Sequence, residues 1–428
     1  EAQAVVASLR GAQYRVESVS RKERRRNPAP PFTTSTLQQE ASRRLGFTAK
    51  KTMGLAQQLY EGLEVQGEGT VGLITYLRTD ATRVSEEAQA EARSFIEAKY
   101  GKEFRPEKPY QYKSRSGAQA AHEAIRPTSV ARTPEKVKAS LTRDQYRLYR
   151  LIWERFVASQ MSPAVLDTVA VDVRAGRGVF RATGSQVKFP GFMTVYLESR
   201  DDESEDADGV RLPELAQGQA VACLRLDPEQ HFTQPPPRYT EAMLVKTLEE
   251  LGIGRPSTYV SIIDTIQRRG YVVLEEKRFV PTELGKIIVD ILKEHFPDIV
   301  DVEFTANLES QLDRIEEGEL DWRGVLESFY QPFEQALQNA KELIEEVEIA
   351  DEVTDEVCES CGRNMVIKWG RYGKFLACPG FPRCRNTRPI LEEIGVNCPK
   401  CNSPLVERRS RRGRVFYGCS AYPECDFT

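Results

Sequence analysis

The chain has 428 residues with 60 Lys/Arg against 64 Asp/Glu, a formal charge of −4. At roughly 100 to 200 residues per domain, that length calls for several domains rather than one large core. No apolar run approaches the ~18 residues a membrane helix needs, and the first residues lack the charged start and apolar stretch of a leader, so we expect a cytoplasmic chain with no membrane partner. The near-neutral total conceals a division. Cys358 to Thr428 holds 13 Lys/Arg and 6 Asp/Glu, a net +7, which leaves −11 for the rest; the tail is therefore a candidate polyanion binder.

In chain order, Ala4 to Ser20 reads as a helix followed by an alternating strand, "YRVESVSRKERRR", which ends at the Pro-rich break "NPAPPF". Thr33 to Leu45 has helical spacing stopped by Gly46, and Thr48 can cap a second helix to Tyr60, giving a helical hairpin. "VGLITYL" then alternates like a strand and places Tyr76 near its end, and Ser85 with Glu86 and Glu87 starts a helix that stops near Gly101. From Pro163 to about Gln234 the pattern turns to short strands, "TVAVDVRAG", "GVFRATGSQV", "TVYLES" and "AVACLRL", with an acidic loop "DDESEDAD" read as a solvated tip. Cys223 alternates within the last of these, as a buried inert thiol would. Because the strand near Tyr14 needs partners and the matching strands come after the helices, the helical block is expected to be inserted into a β domain. Thr240 caps a helix to Glu250; "LGIGRPS" turns the chain into a second helix and then "YVVLEEKRFVPT", so that helix, turn, helix and hairpin form a winged-helix pattern. More helices run to about Glu348 before an acidic linker.

The tail contains a countable repeat: Cys358-x2-Cys361-x16-Cys378-x5-Cys384, then Cys398-x2-Cys401-x17-Cys419-x5-Cys425, each closing on aromatic-Pro-x-Cys. Four thiolates at this spacing provide a closed tetrahedral S4 set, suited to structural Zn²⁺ and leaving no open position for chemistry. Free cysteines in a small core would not reproduce both spacings almost residue for residue. Between the cysteines, "IKWGRYGKFLA" and "ERRSRRGRVFYG" interleave aromatic and basic residues, a surface that can stack bases and neutralise phosphates, although some of these rings must roof the small ribbon cores.

"GLITYLRTDAT" poses the functional question. A phenol titrates at about 10, so a nucleophilic tyrosine needs a base or cations to stabilise its anion, and Arg78 stands two residues from Tyr76. Taken alone, the tyrosine of a strand is more often core. The stretches "GLITYLRTD", "AHEAIRPT" and "PPPRYTEAMLVKTLEELGIGRPSTYVSIIDTIQRRGYV", with the tandem ribbons, resemble bacterial DNA topoisomerase I, a type IA topoisomerase, over essentially the whole chain.

That resemblance implies a multi-domain α+β architecture: a helical tyrosine-bearing domain (27–160) inserted into a β arch domain (1–26 and 161–236), a helical winged-helix-like domain (237–348) and two zinc ribbons (349–392 and 393–428). It implies that Tyr76 attacks a DNA phosphodiester to give a 5′-phosphotyrosine and a free 3′-hydroxyl, so that negatively supercoiled DNA is relaxed and resealed without ATP. No GxxxxGK[ST] loop occurs. Arg78 would hold the scissile phosphate, and His122 would contact a nearby phosphate or base edge. Arg126 would be either a DNA contact or an ion-pair partner. Arg255, Ser257 and Thr258, at a helix N-terminus, would bind a phosphate or cap the helix; Gln57 and Tyr60 match the family's "AQxLYE" stretch beside the tyrosine. DNA, especially single-stranded, is the expected partner, in a nucleoid-associated monomer with two Zn²⁺.

The departures matter as much. The family opens with a Toprim domain whose DxDxxG and separate Glu bind Mg²⁺ and help protonate the leaving 3′-oxygen, and no such motif is present. The first half of the fourth family domain is also missing, and Ala81 replaces a usual serine. We therefore expect a piece of a larger enzyme, incompetent for relaxation unless the Toprim domain is supplied. The competing expectation is a non-catalytic winged-helix and zinc-ribbon DNA-binding protein in which Tyr76 only packs.

Overall fold

The computed structural model describes residues 2–112, 122–198, 212–344, 352–370, 373–390, 393–409 and 415–428. The acidic loop 201–208 and segments 371–372 and 410–414 of the ribbon stretches lie outside the described residues.

Helix α1 (Ala2–Leu9) leads into strand β1 (Tyr14–Arg26), after which the helical block begins. Thr33 opens α2 (Thr34–Glu40) with a capping box: its side chain accepts from the Thr36 N–H while the Thr36 side chain accepts from the Thr33 N–H. The helix widens into a π turn over Ala41–Leu45 and stops at Gly46, whose φ of 67° is the left-handed geometry that favours glycine. Thr48 caps α3 (Ala49–Glu61), the hairpin β2 (Leu63–Val65) and β3 (Gly69–Val71) follows, and Ser85 caps α4 (Glu86–Tyr100). Short α5 (Pro134–Val137) and long α6 (Arg143–Ser159) complete the block. Along α6 the helical period puts Leu148, Tyr149, Ile152 and Phe156 on one buried stripe, and Phe32, Leu37, Leu59, Leu73, Ile74, Leu77, Ile96 and Ile125 close around it. Each such side chain contributes roughly 1.5–3 kcal/mol on burial.

Strands β4 (Ala164–Ala175), β5 (Gly178–Phe189) and β6 (Ala220–Val221) join β1 in an antiparallel sheet of order β5-β4-β1-β6. Arg26 pairs with Ala164, so the two ends of the helical block enter and leave the sheet side by side. Few of these strand residues are buried, and cross-strand ion pairs such as Arg174–Glu17 (2.6 Å) and Arg181–Asp172 (2.7 Å) take the place of a second core. One expected strand does not form and another is cut short. "TVYLES" instead leaves a 3₁₀ turn, Gly191–Thr194, and buries Tyr196, whose hydroxyl donates to Glu40 Oε2 at 2.6 Å. An alternating pattern fits a single inward-pointing ring as well as a ladder. "AVACLRL" is strand only at Ala220–Val221, because only Tyr14 and Arg15 pair with it; Cys223 lies beyond the ladder and is exposed, contrary to the expected buried thiol.

Thr240 caps α7 (Glu241–Glu250), and α8 (Tyr259–Arg268), β7 (Val272–Glu275) and β8 (Arg278–Pro281) follow as expected of a winged helix. The unit has its own small core of Val245, Tyr259, Ile263 and Phe279, into which Ala49 of α3 also packs. Polar contacts tie it to the helical block: Ser35 Oγ donates to Glu249 Oε2 (2.7 Å), Ala49 N–H to Glu241 Oε2 (2.8 Å), and Lys50 pairs with Asp264 (2.9 Å). Burial pushes the Glu241 carboxyl up, and the Ala49 N–H partly offsets it. Helices α9 (Glu283–His295), α10 (Val302–Glu316) and α11 (Trp322–Leu343) complete this part. The tail folds as two small antiparallel sheets. The first holds β9 (Glu352–Val357), β10 (Asn364–Gly370), β11 (Gly373–Ala377) and β12 (Thr387–Pro389); the second holds β13 (Glu393–Asn397), β14 (Pro404–Arg409) and β15 (Val415–Cys419). Among the described residues no helix is long and apolar enough to cross a membrane.

Candidate functional site

The expected strand through Tyr76 is not one. The ladder ends at Val71, and from Gly72 the chain runs as an extended but irregular segment with one isolated bridge, Ile74 to Pro127. Gly72 is needed where it leaves the hairpin, since a Cβ there would stand 2.7 Å from the Tyr60 carbonyl oxygen. This close approach brings the segment against the end of α3, where the Leu73 N–H donates to the Leu59 carbonyl at 2.7 Å. Leu73, Ile74, Leu77 and Thr79 point inward at 0–1% exposure, whereas Tyr76 and Arg78 face out. Alternation survives without the ladder because the core below supplies the inward contacts.

Tyr76 is 38% exposed. Its ring packs edge-on against Tyr60, 5.5 Å between centroids, and tilted against His122 at 5.2 Å. Among the described residues its hydroxyl has no hydrogen-bond partner, whereas the hydroxyl of a buried tyrosine ordinarily has one. Among the described residues the buried His122 Nδ1 has no hydrogen-bond partner either, an uncommon state for a buried polar atom. Gln57, one turn before Tyr60, donates to Glu61 at 2.6 Å.

The three arginines of the sequence reading stand in different surroundings. Arg78 is exposed and makes no ion pair or hydrogen bond among the described residues. Arg126 is committed to Glu123 (2.7 Å) and to the Pro127 carbonyl (3.0 Å). Arg255 is held by Asp313 (2.6 Å) and by the carbonyls of Gly252 and Gly254 (3.2 and 2.7 Å), which locks the "GIGRPS" turn. Thr258 is the N-terminal residue flanking α8, and its hydroxyl accepts from the Arg255 N–H at 2.8 Å rather than capping the helix. Ser257 is exposed, and neither it nor Thr258 supplies the side-chain cap that was the alternative reading. The structure thus brings Tyr76, Tyr60 and His122 together; Arg255, Ser257 and Thr258 belong to the winged unit.

The cysteines form two groups, Cys358, Cys361, Cys378 and Cys384, and Cys398, Cys401, Cys419 and Cys425, with all sulfurs of a group within 4.8 Å of one another. Sulfur pairs lie 3.2 and 3.7 Å apart in both, close to the ~3.8 Å edge of a tetrahedron with Zn–S bonds of about 2.3 Å. The backbones match as well. Gly362 and Asn402, each directly after the second cysteine, have φ of 73° and 62°, and the Phe381–Pro382 and Tyr422–Pro423 bonds are both cis. Asn386 holds the Cys358 thiol down at about 6, whereas burial and then Cys401 push Cys419 up to about 12. Without a cation the four sulfurs cannot all carry charge, so the donor set fits Zn²⁺. Exposed rings, Phe381, Tyr417 and Tyr422, stand on the ribbon surfaces.

A family model described as DNA topoisomerase matches residues 1–327, and one described as topoisomerase DNA binding C4 zinc finger matches 355–393 and 395–428. The chain belongs to the type IA DNA topoisomerase family. It is similar to full-length topoisomerase I from Thermotoga maritima at 35% identity and a TM-score of 0.70, over 97% of this chain and 64% of that one. Sequence reasoning named Tyr76, Arg78 and His122 as candidates. It missed Thr34, which is hydrogen-bonded to the tyrosine segment from more than forty residues away and carries no local signal.

Proposed function

We propose that the chain is the tyrosine-bearing part of an enzyme that relaxes negatively supercoiled DNA by cutting and resealing one strand without ATP. The observation that carries this reading is the exposed Tyr76, packed between Tyr60 and His122 and followed by an exposed Arg78 that makes no ion pair among the described residues. In the proposed step the Tyr76 phenol gives up its proton to solvent as its oxygen attacks the phosphorus, the bond to the 3′-oxygen breaks, and that oxygen takes up a proton and leaves as a 3′-hydroxyl. One phosphodiester is exchanged for another, so resealing needs no external energy. Arg78 offsets charge on the phosphate oxygens, and His122 contacts a nearby phosphate or base edge. Gln57 and Tyr60 orient the tyrosine. Arg126 and the winged residues Arg255, Ser257 and Thr258 are secondary DNA contacts, and for Arg126 and Arg255 this requires exchange of their present carboxylate partners.

We read residues 27–160 as a unit inserted between 1–26 and 161–236, followed by 237–348 and ribbons at 349–392 and 393–428. The ribbons, each closed around Zn²⁺, offer exposed rings for bases of single-stranded DNA. No DxDxxG motif occurs in the 428 residues, and the residues present do not fit a Toprim Mg²⁺ site. The proton for the 3′-oxygen is assigned to a Toprim domain acting with this chain, in a monomeric, nucleoid-associated enzyme. The test combines the chain with a Toprim domain, Mg²⁺ and single-stranded DNA. A covalent DNA adduct lost in Tyr76→Phe is expected, and an undiminished adduct in the mutant would refute the assignment.

A further inference from the structure

Tyr76 and Arg78 project from a segment without a ladder, so something else must fix their backbone. Before the tyrosine, Thr75 does so: its N–H donates to the Arg126 carbonyl (2.9 Å), and its hydroxyl donates to the Ala124 carbonyl (2.7 Å) and accepts from the Arg126 N–H (3.0 Å). After the tyrosine, the fixing residue is Thr34, the first residue of α2 and 0% exposed. Its hydroxyl lies 2.7 Å from the Leu77 carbonyl oxygen and 3.1 Å from that of Thr79, and accepts from the Thr79 N–H at 2.9 Å. Its own N–H, one of the donors a helix start leaves unused, donates to the Thr79 carbonyl at 2.9 Å. These bonds bracket Arg78 on both sides.

We propose that Thr34 is a positioning residue for the cleavage reaction, setting the backbone from Leu77 to Thr79 so that Arg78 meets the phosphate attacked by Tyr76. The inference rests on the proposed function. The backbone groups it gathers lie on either side of one exposed arginine. The adjacent Ser35 is anchored to Glu249 of α7, so α2 is held against the winged unit while it grips the tyrosine segment.

The test measures single-turnover adduct formation on a 3′-labelled single-stranded oligonucleotide, with the full chain supplied with a Toprim domain and Mg²⁺, for wild type, Thr34→Val, Thr34→Ser and Tyr76→Phe. Thr34→Val should slow adduct formation at least about tenfold while oligonucleotide affinity stays within about twofold, a loss confined to the transition state. Thr34→Ser, which keeps the hydroxyl, should restore the rate. If Thr34→Val does not fold, Thr34→Ala removes the same hydroxyl without placing a methyl against the carbonyls and carries the same expectation. A hydroxyl-free variant that cleaves at the wild-type rate, a rate loss matched by loss of affinity, or a serine variant as slow as valine would overturn the proposal. Failure of the underlying reading looks different: wild type then forms no adduct, or Tyr76→Phe forms as much.

Discussion

Around Tyr76 the chain buries Phe32, Leu59, Leu73, Ile74, Leu77 and Ile125 to 0–1% exposure, whereas among the described residues the first ribbon buries Met365, Val366, Leu376 and Ala377 beside its cysteines and the second Leu405 and Val406. The helical block therefore has a core sufficient to hold an irregular segment in place, and the ribbons must rely on a metal. The contrast has a functional side. A nucleophile needs a fixed backbone under an exposed side chain, which a large core supplies, while a surface that stacks bases needs only a small rigid support.

Chelation should break that comparison most visibly. Structural Zn²⁺ in such small domains is worth roughly 10–16 kcal/mol of apparent binding energy, so a strong chelator, or Cys361→Ser and Cys401→Ser together, should abolish ordered ribbons and single-strand binding by the tail, as read by limited proteolysis and a binding titration. The helical block should melt as before. Unchanged protease resistance and affinity in excess chelator would remove zinc from the account. The converse is Phe32→Ala, which should cost the block about 3–5 kcal/mol through the cavity it leaves, seen as a lowered calorimetric transition with zinc content unchanged.

Smaller effects sharpen the site. Arg78→Lys keeps the charge but loses the fork, and should slow adduct formation by about 10- to 100-fold with little change in stability. The same change at Arg255 should instead lower stability, because its guanidinium is occupied by Asp313 and two carbonyls; equal rate losses at both would contradict the distinction. Ser35→Ala should cost about 1.5 kcal/mol in thermal stability, the lower end for one partly buried hydrogen bond to a charged group.

What was legible in the sequence was mostly local. Thr33, Thr48, Ser85 and Thr240 stand where caps belong, and the cysteine spacings announce both ribbons. The failures share a cause in non-local contacts. "VGLITYL" alternates because the core beneath it does, not because a neighbouring strand pairs with it. Tyr196 turns inward to reach Glu40, 156 residues earlier, and Cys223 is exposed because its strand finds partners only as far as Val221. Thr34 shows the same limit at the site itself: nothing in "FTTSTLQQ" says which threonine hydroxyl will reach Leu77 and Thr79.

The central claim is that the Tyr76 oxygen takes the DNA phosphate. It is tested most directly by trapping the adduct, digesting protein and DNA, and locating the attached nucleotide by mass spectrometry. The account predicts a 5′-phosphate on the peptide carrying "ITYLR", at Tyr76 and nowhere else. A nucleotide on another residue, or a 3′-phosphate linkage, would contradict it.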